Sequence, residues 1–401
     1  MTLDRCLPTP PMRVSFMKAL TRCSFVLFTA AFLSPIVPAA AETYLIEPDG
    51  SGDFPTIQEA IDAVVDGDVI ELADGVFTGE GNRDLDLLGR AITIRSRSGD
   101  PESCIINCEG SESEPHRGLI FQSGEGAGTV LEGLTITGGH AAGEDPQDRG
   151  GGILLLGHSS PAIRKAVFRA NSAAGGGGAA CLGSDTSPAF VECVFESNAA
   201  GVGGGLYCRG ASPSLSTCAF IGNTAIGSGG GISSSTSQWI LEYCTFIENV
   251  AETAGALLSV WESGTMSHCT IVRNTAEYGG ALYFDLAGQR TIMNTIMVEN
   301  QGGSAFDGHC SGAAFLCCDI YGNPGGDWVG CIADQLGMNG NLSDDPLFCD
   351  SENDDFSLRE NSLCAPENNP ECGLIGAWPV GCEGPTAIAP ATWGRIKARR
   401  E

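Results

Sequence analysis

Apolar residues in this chain recur in short runs of two to four, alternating with polar ones. Gly, Asn, Ser or Pro breaks each run. Runs of that length and period predict β-strands rather than helices. The runs also return in register. A glycine block opens at Gly150-Gly151-Gly152-Ile153 and recurs at Gly176, Gly203 and Gly229, then decays to Ala254-Gly255 and Gly279-Gly280, about 25–27 residues apart. A second column keeps the same step: Phe168, Phe195, Phe220, Phe246, Ile271 and Met297. Three positions after each stands Asn171, Asn198, Asn223, Asn249, Asn274 and Asn300; two before stands Ala166, Cys193, Cys218, Cys244, Cys269 and Thr295. One such unit cannot bury a core alone. Stacked units place like residues over like at ~4.8 Å, which describes a parallel β-solenoid. Roughly ten coils are expected, with Gly and Asn taking the left-handed corner positions and the Phe and Cys columns pointing inward.

The chain ends carry other patterns. Thr56 to Val65 places Ile57, Ile61, Val64 and Val65 on one helical face, the signature of a helix covering the open first coil. Residues 336–384 are loop-rich and dense in cysteine, and read as a lid on the far end. At the start, Arg13, Lys18 and Arg22 precede the apolar Ser24–Leu33 and an Ala39-Ala40-Ala41 site, the three parts of an export signal in order. The expected organisation is therefore a signal peptide at 1–41, a cap at 42–83, the solenoid at 84–335, the lid at 336–384 and a basic tail at 385–401.

The paired motifs Gly-Gly-Ala-Leu at 279–282 and Phe-x-x-Asn at 168–171, 195–198, 220–223 and 246–249 resemble the repeats of polymorphic outer membrane proteins. With them the chain resembles the pectin-lyase-like superfamily. The resemblance implies an all-β fold, a right-handed single-stranded parallel β-helix with an N-terminal capping helix. Residues 44–79 are similar to the opening of pectin methylesterases, but that family's later Gln-Ala-Val, Gln-Asp and Phe-Ile-Phe-Gly regions have no counterpart here. The tail Pro385–Glu401 resembles the terminal sorting tags of bacterial secreted proteins.

Composition narrows the function. The formal net charge is −28, with 49 acidic against 21 basic residues. The export signal would take more base than acid with it, so the mature body is more acidic still. Nucleic acid is excluded as a partner, because phosphate binding needs a basic footprint. No stretch after the signal is long and apolar enough to insert in a membrane as a helix. Of the 18 cysteines, Cys6 and Cys23 would leave with the export signal, and the even number that remains in an exported chain permits disulfides; the columns are expected to form buried stacks or neighbouring-coil bridges.

Enzymes of this architecture use one outer face. Alternation from the glycine blocks turns a series from Leu154 and Leu156 to Tyr283 and Asp285 outward. Tyr207, Arg209, Trp261, Tyr283 and Asp285 are the candidate glycan-binding residues, aromatic rings supplying flat contact and charged groups supplying direction. Arg209 and Asp285 stand three coils apart, about 14 Å, too far to work as a pair. Glu144, Asp145 and Asp148, in an insertion before the first full coil, are the candidate calcium ligands, and Asp350, Glu352, Asp354 and Asp355 form a second acidic group. None of His116, His140, His158, His268 and His309 has metal-site spacing. The residues require no cofactor; calcium is the one they could hold. The expectation is a secreted, monomeric, non-catalytic β-helix that meets an extended glycan or a cell-surface component. A polysaccharide lyase or glycoside hydrolase acting on an acidic polysaccharide is the competing reading.

Overall fold

The computed structural model describes residues 41–382 apart from 184 and 287. The expected export signal and basic tail lie outside the described residues. Each coil lays one strand on each of three parallel sheets. An eleven-stranded sheet runs from Thr43–Ile46 to Ala313–Leu316, a ten-stranded sheet from Gly75–Phe77 to Asp319–Tyr321, and a nine-stranded sheet from Leu85–Asp86 to Phe306–Gly308. The count is about eleven coils rather than ten, because Thr43–Ile46 and Val69–Leu72 pair directly as rungs inside the stretch read as cap. Helix Ile57–Ala63 is inserted between those two rungs. Its N-cap Thr56 accepts the Glu59 N–H at 3.2 Å on Oγ1, satisfying an end donor. Ile57, Ala60, Ile61 and Val64 are buried, whereas Val65 is exposed; the helix has already ended.

The interior is a set of ladders. Phe168, Phe195, Phe220 and Phe246 stack with centroids 5.1, 4.5 and 4.9 Å apart. Cys193, Cys218, Cys244 and Cys269 form a buried column of free thiols, not inter-coil bridges. Burial pushes the Cys218 and Cys269 thiols well above their ordinary range. Among the described residues three disulfides form, Cys310–Cys331, Cys317–Cys372 and Cys349–Cys382, all near the C-terminal end.

The asparagine column works differently from expectation. The left-handed corner residue is the one before each Asn: Ala170, Ser197, Glu248, Arg273 and Glu299 all have φ of 52–57°. The Asn side chains turn inward instead. Each donates from Nδ2 to Oδ1 of the next, from Asn171 to Asn323, at 2.8–3.2 Å. The glycine column combines two requirements. Gly203 and Gly229 take φ of 60° and 67°. Gly204 lies so close to the next coil that a Cβ there would sit 2.5 Å from the Gly230 carbonyl oxygen.

The C-terminal segment also departs from expectation. Trp328 and Ile332 close the last coil, Trp328 meeting the Phe315 ring at 5.8 Å. Residues beyond about 345 turn back along the outer side of the ten-stranded sheet. There Phe356, Leu358, Ile375 and Trp378 pack on Ile247, Val272, Ile296 and Val298. Trp378 Nε1 donates to Thr245 Oγ1 at 3.1 Å. The segment has its own apolar face, and the flank is where the sheet's outward residues are apolar too.

Candidate functional site

The outer face of the nine-stranded sheet is built by register. One column runs Ile120, Leu154, Ala180, Tyr207, Ser233, Leu258, Tyr283, Asp307, one residue per rung. A second runs Leu182, Arg209, Ser235, Val260, Asp285. At the following corner Gly183, Gly210, Thr236 and Trp261 stand one above another, their N–H groups donating to Arg209, Ser235, Val260 and Asp285 of the next rung at 2.9, 2.9, 3.0 and 3.3 Å.

Two members of the expected outward set are covered. Ser233 is buried, and Leu154 lies beneath Ile120, Leu156 and Tyr207. The insertion over this region is tied down by Arg117, which donates to the Arg149 and Gln147 carbonyl oxygens at 3.0 and 2.8 Å, and by the Gly175 N–H to the Asp148 carbonyl oxygen at 2.7 Å. It sets the Arg149 guanidinium 4.9 Å over the Tyr207 ring. Tyr207 therefore supports an arginine by a cation–π contact instead of offering its face to a ligand.

The same insertion walls a cleft of about 490 Å³, lined by Asp145, Pro146, Arg149, Leu156, Gly157, Gly183, Arg209, Gly210 and Thr236. Residues of successive rungs form its floor, so it runs along the rod axis. Trp261, 61% exposed, stands one rung beyond Thr236. Asp145 Oδ2 accepts from Arg149 Nη2 at 3.1 Å and Arg209 Nη1 at 3.2 Å, and Asp148 meets Arg149 Nε at 3.5 Å. Glu144, Asp145 and Asp148 thus do not gather into the expected calcium site: two of the three face arginine. Asp354 likewise pairs with Arg273. Among the described residues no three His, Cys, Asp or Glu side chains are grouped to hold a metal ion.

Farther along the rod, Tyr283 and Asp285 meet Asp307, which the sequence pattern did not single out, and His309, which it set aside only as a metal ligand. His309 Nε2 lies 3.8 Å from Asp285 Oδ1. Burial, with Asp285 and Asp307 nearby, pushes the Tyr283 phenol up. Extending the outward columns by one coil would have found both. Glu262 and Arg290, also unremarked in the sequence, are buried at the corner below Trp261. Glu262 accepts from Ser234 Oγ, the Ser237 N–H and Trp239 Nε1 at 3.0, 3.1 and 2.8 Å. Burial raises its carboxyl to about 6. Arg290 donates from Nε to Ser259 Oγ at 3.1 Å and from Nη1 to the Leu286 carbonyl oxygen at 2.8 Å. The pair holds the corner that presents Trp261.

Residues 117–320 match the family described as right handed beta helix region. The chain belongs to that family. Solved structures similar to this β-helix include a pectate lyase, Pel9A, at 11% identity over 86% of this chain and 97% of that one, TM-score 0.39. A pectin methylesterase from carrot is 14% identical over 78% of this chain and 90% of that one, TM-score 0.35. The alginate lyase AlyGC of family PL6 is 13% identical over 87% of this chain and 57% of that one, TM-score 0.36. Likeness this distant concerns the fold alone. No curated protein matches the sequence at a significant level.

Proposed function

We propose that this β-helix is an exported, non-catalytic binding protein that holds an extended glycan along its nine-stranded face. The observation carrying the reading is the axial cleft: a floor with Gly157, Gly183 and Gly210, a wall with Arg149 and Asp145, and an exposed Trp261 one rung past its end. Glycines let a flat ring approach the backbone, charged side chains bond to hydroxyls, and an indole offers a stacking face. Export is supported by the signal-like N-terminus and by three disulfides, which persist in oxidising compartments.

One observation favours a second reading, glycoside hydrolysis. The backbones of Asp285 and Asp307 lie one rung and two residues apart, about 8 Å by strand geometry, on one face, which lets their carboxyls reach the separation of an inverting pair. The test is incubation of mature protein with neutral and acidic polysaccharides, reading both retention and products. Retention without turnover, lost about tenfold in Trp261→Ala, is expected. New reducing ends that disappear in Asp307→Asn would replace binding by hydrolysis.

A further inference from the structure

Two guanidinium groups converge on one oxygen in the cleft. Arg149 Nη2 and Arg209 Nη1 lie 3.1 and 3.2 Å from Asp145 Oδ2. We infer that this is an anion subsite in which Asp145 occupies the place of a ligand's acidic group, so that the groove takes a glycan bearing carboxylate or sulfate and competes with its own loop for it. The inference rests on the glycan-binding reading and names the ligand's chemistry.

Three features support it. First, Arg149 is prepared before any ligand arrives. Its side chain is only 14% exposed, its ring contact with Tyr207 fixes the guanidinium plane, and the backbone beside it is pinned by Arg117. A planar, fixed fork is what recognises carboxylate and sulfate oxygens in pairs. Second, the fork has unused capacity: Arg149 Nη1 is buried without a hydrogen-bond partner among the described residues. Third, the occupant is weakly held on its Arg209 side. Asp145 and Arg209 are 53% and 57% exposed, and exposed ion pairs contribute about 0–1 kcal/mol. A ligand anion exchanging with Asp145 gives up little on the Arg209 side and takes over contacts to both guanidinium groups.

The acidity of the whole chain does not exclude an anionic ligand. At physiological salt, charges beyond about 8 Å are largely screened, and the two arginines lie at contact distance. Long-range repulsion would slow association without removing the local pairing.

The experiment compares binding of polygalacturonate, dextran sulfate and neutral dextran to the full mature chain, by isothermal titration at two salt concentrations. In Asp145→Asn the internal competitor loses its charge. The ratio of anionic to neutral affinity should then rise about two- to fivefold, the upper part of the range of an exposed pair. In Arg209→Gln the ratio should fall about tenfold, and the gain and the loss should both shrink at high salt. A response to polygalacturonate alone assigns the group as carboxylate; a response to dextran sulfate alone assigns it as sulfate. A ratio that stays level or falls in Asp145→Asn overturns the inference while leaving glycan binding intact. Failure of all three polymers to bind overturns the underlying reading as well. Asp145→Ala, with a melting curve matching the parent, separates lost charge from a disturbed loop.

Discussion

Truncating one rung of the asparagine ladder should cost far more than truncating an exposed apolar side chain of the same coil. Asn249 makes four side-chain hydrogen bonds. Its Oδ1 accepts the Asn223 N–H at 3.0 Å and Asn223 Nδ2 at 2.9 Å; its Nδ2 donates to the Phe220 carbonyl oxygen at 2.9 Å and to Asn274 Oδ1 at 2.8 Å. In Asn249→Ala the two Asn223 donors lose their acceptor where no water reaches, since Asn223 and Asn249 are both fully buried. Each orphaned donor costs about 1–3 kcal/mol. The Asn274 acceptor fares better, because it keeps the Asn249 backbone N–H at 3.0 Å. The expected loss is therefore about 4 kcal/mol, a large share of the ~5–15 kcal/mol that stabilises a typical domain. Urea unfolding followed by far-ultraviolet circular dichroism measures it as a fall in midpoint. Ile226→Ala, at a side chain 83% exposed, is the control and should stay within about 0.5 kcal/mol of the parent. A loss below about 1 kcal/mol for Asn249→Ala would refute the ladder as a source of stability.

Two further predictions concern the C-terminal segment. Asp319 is buried, accepts from the Asp344 N–H at 3.1 Å and the Cys364 thiol at 3.2 Å, and has its carboxyl pushed up by burial from 3.8 to about 7. A carboxyl raised in the folded state favours folding while protonated. Its stabilisation is present in full below about pH 4 and is lost as pH rises through about 7, a change on the order of 4 kcal/mol; Asp319→Asn should remove that component from a stability–pH profile, and parallel profiles would contradict it. Cys372→Ser opens the 55-residue link from Cys317 and should lower stability by about 2–4 kcal/mol, with faster amide exchange at Ile375 and Trp378; unaltered exchange there would mean that apolar packing alone holds the segment.

What was legible in the sequence is what repeats. Stacking like over like demands equal spacing, so the Phe, Cys and Gly columns announced the parallel coils, their inward faces and the outward set from Tyr207 to Asp285. The helix at Ile57–Ala63 was legible for a related reason, its apolar positions falling on one side of a turn of chain. The asparagine column was visible too, but its cause was not: a corner residue and a buried ladder predict the same spacing, and only the observed backbone angles and Nδ2–Oδ1 bonds separate them. The irregular segments depended on tertiary structure. Nothing periodic in residues 142–149 tells which way the insertion folds, so its acids read as calcium ligands. Folded back over the sheet, it brings Asp145 to Arg209, 64 residues along the chain, and Arg149 to Tyr207. The C-terminal segment likewise chose the flank of the solenoid over its end, because the apolar partners for Phe356 and Trp378 come from several coils at once and meet only when those coils are stacked. Spacing along the chain determined the rod; which side of it is covered and which is open was decided by contacts between segments that share no period.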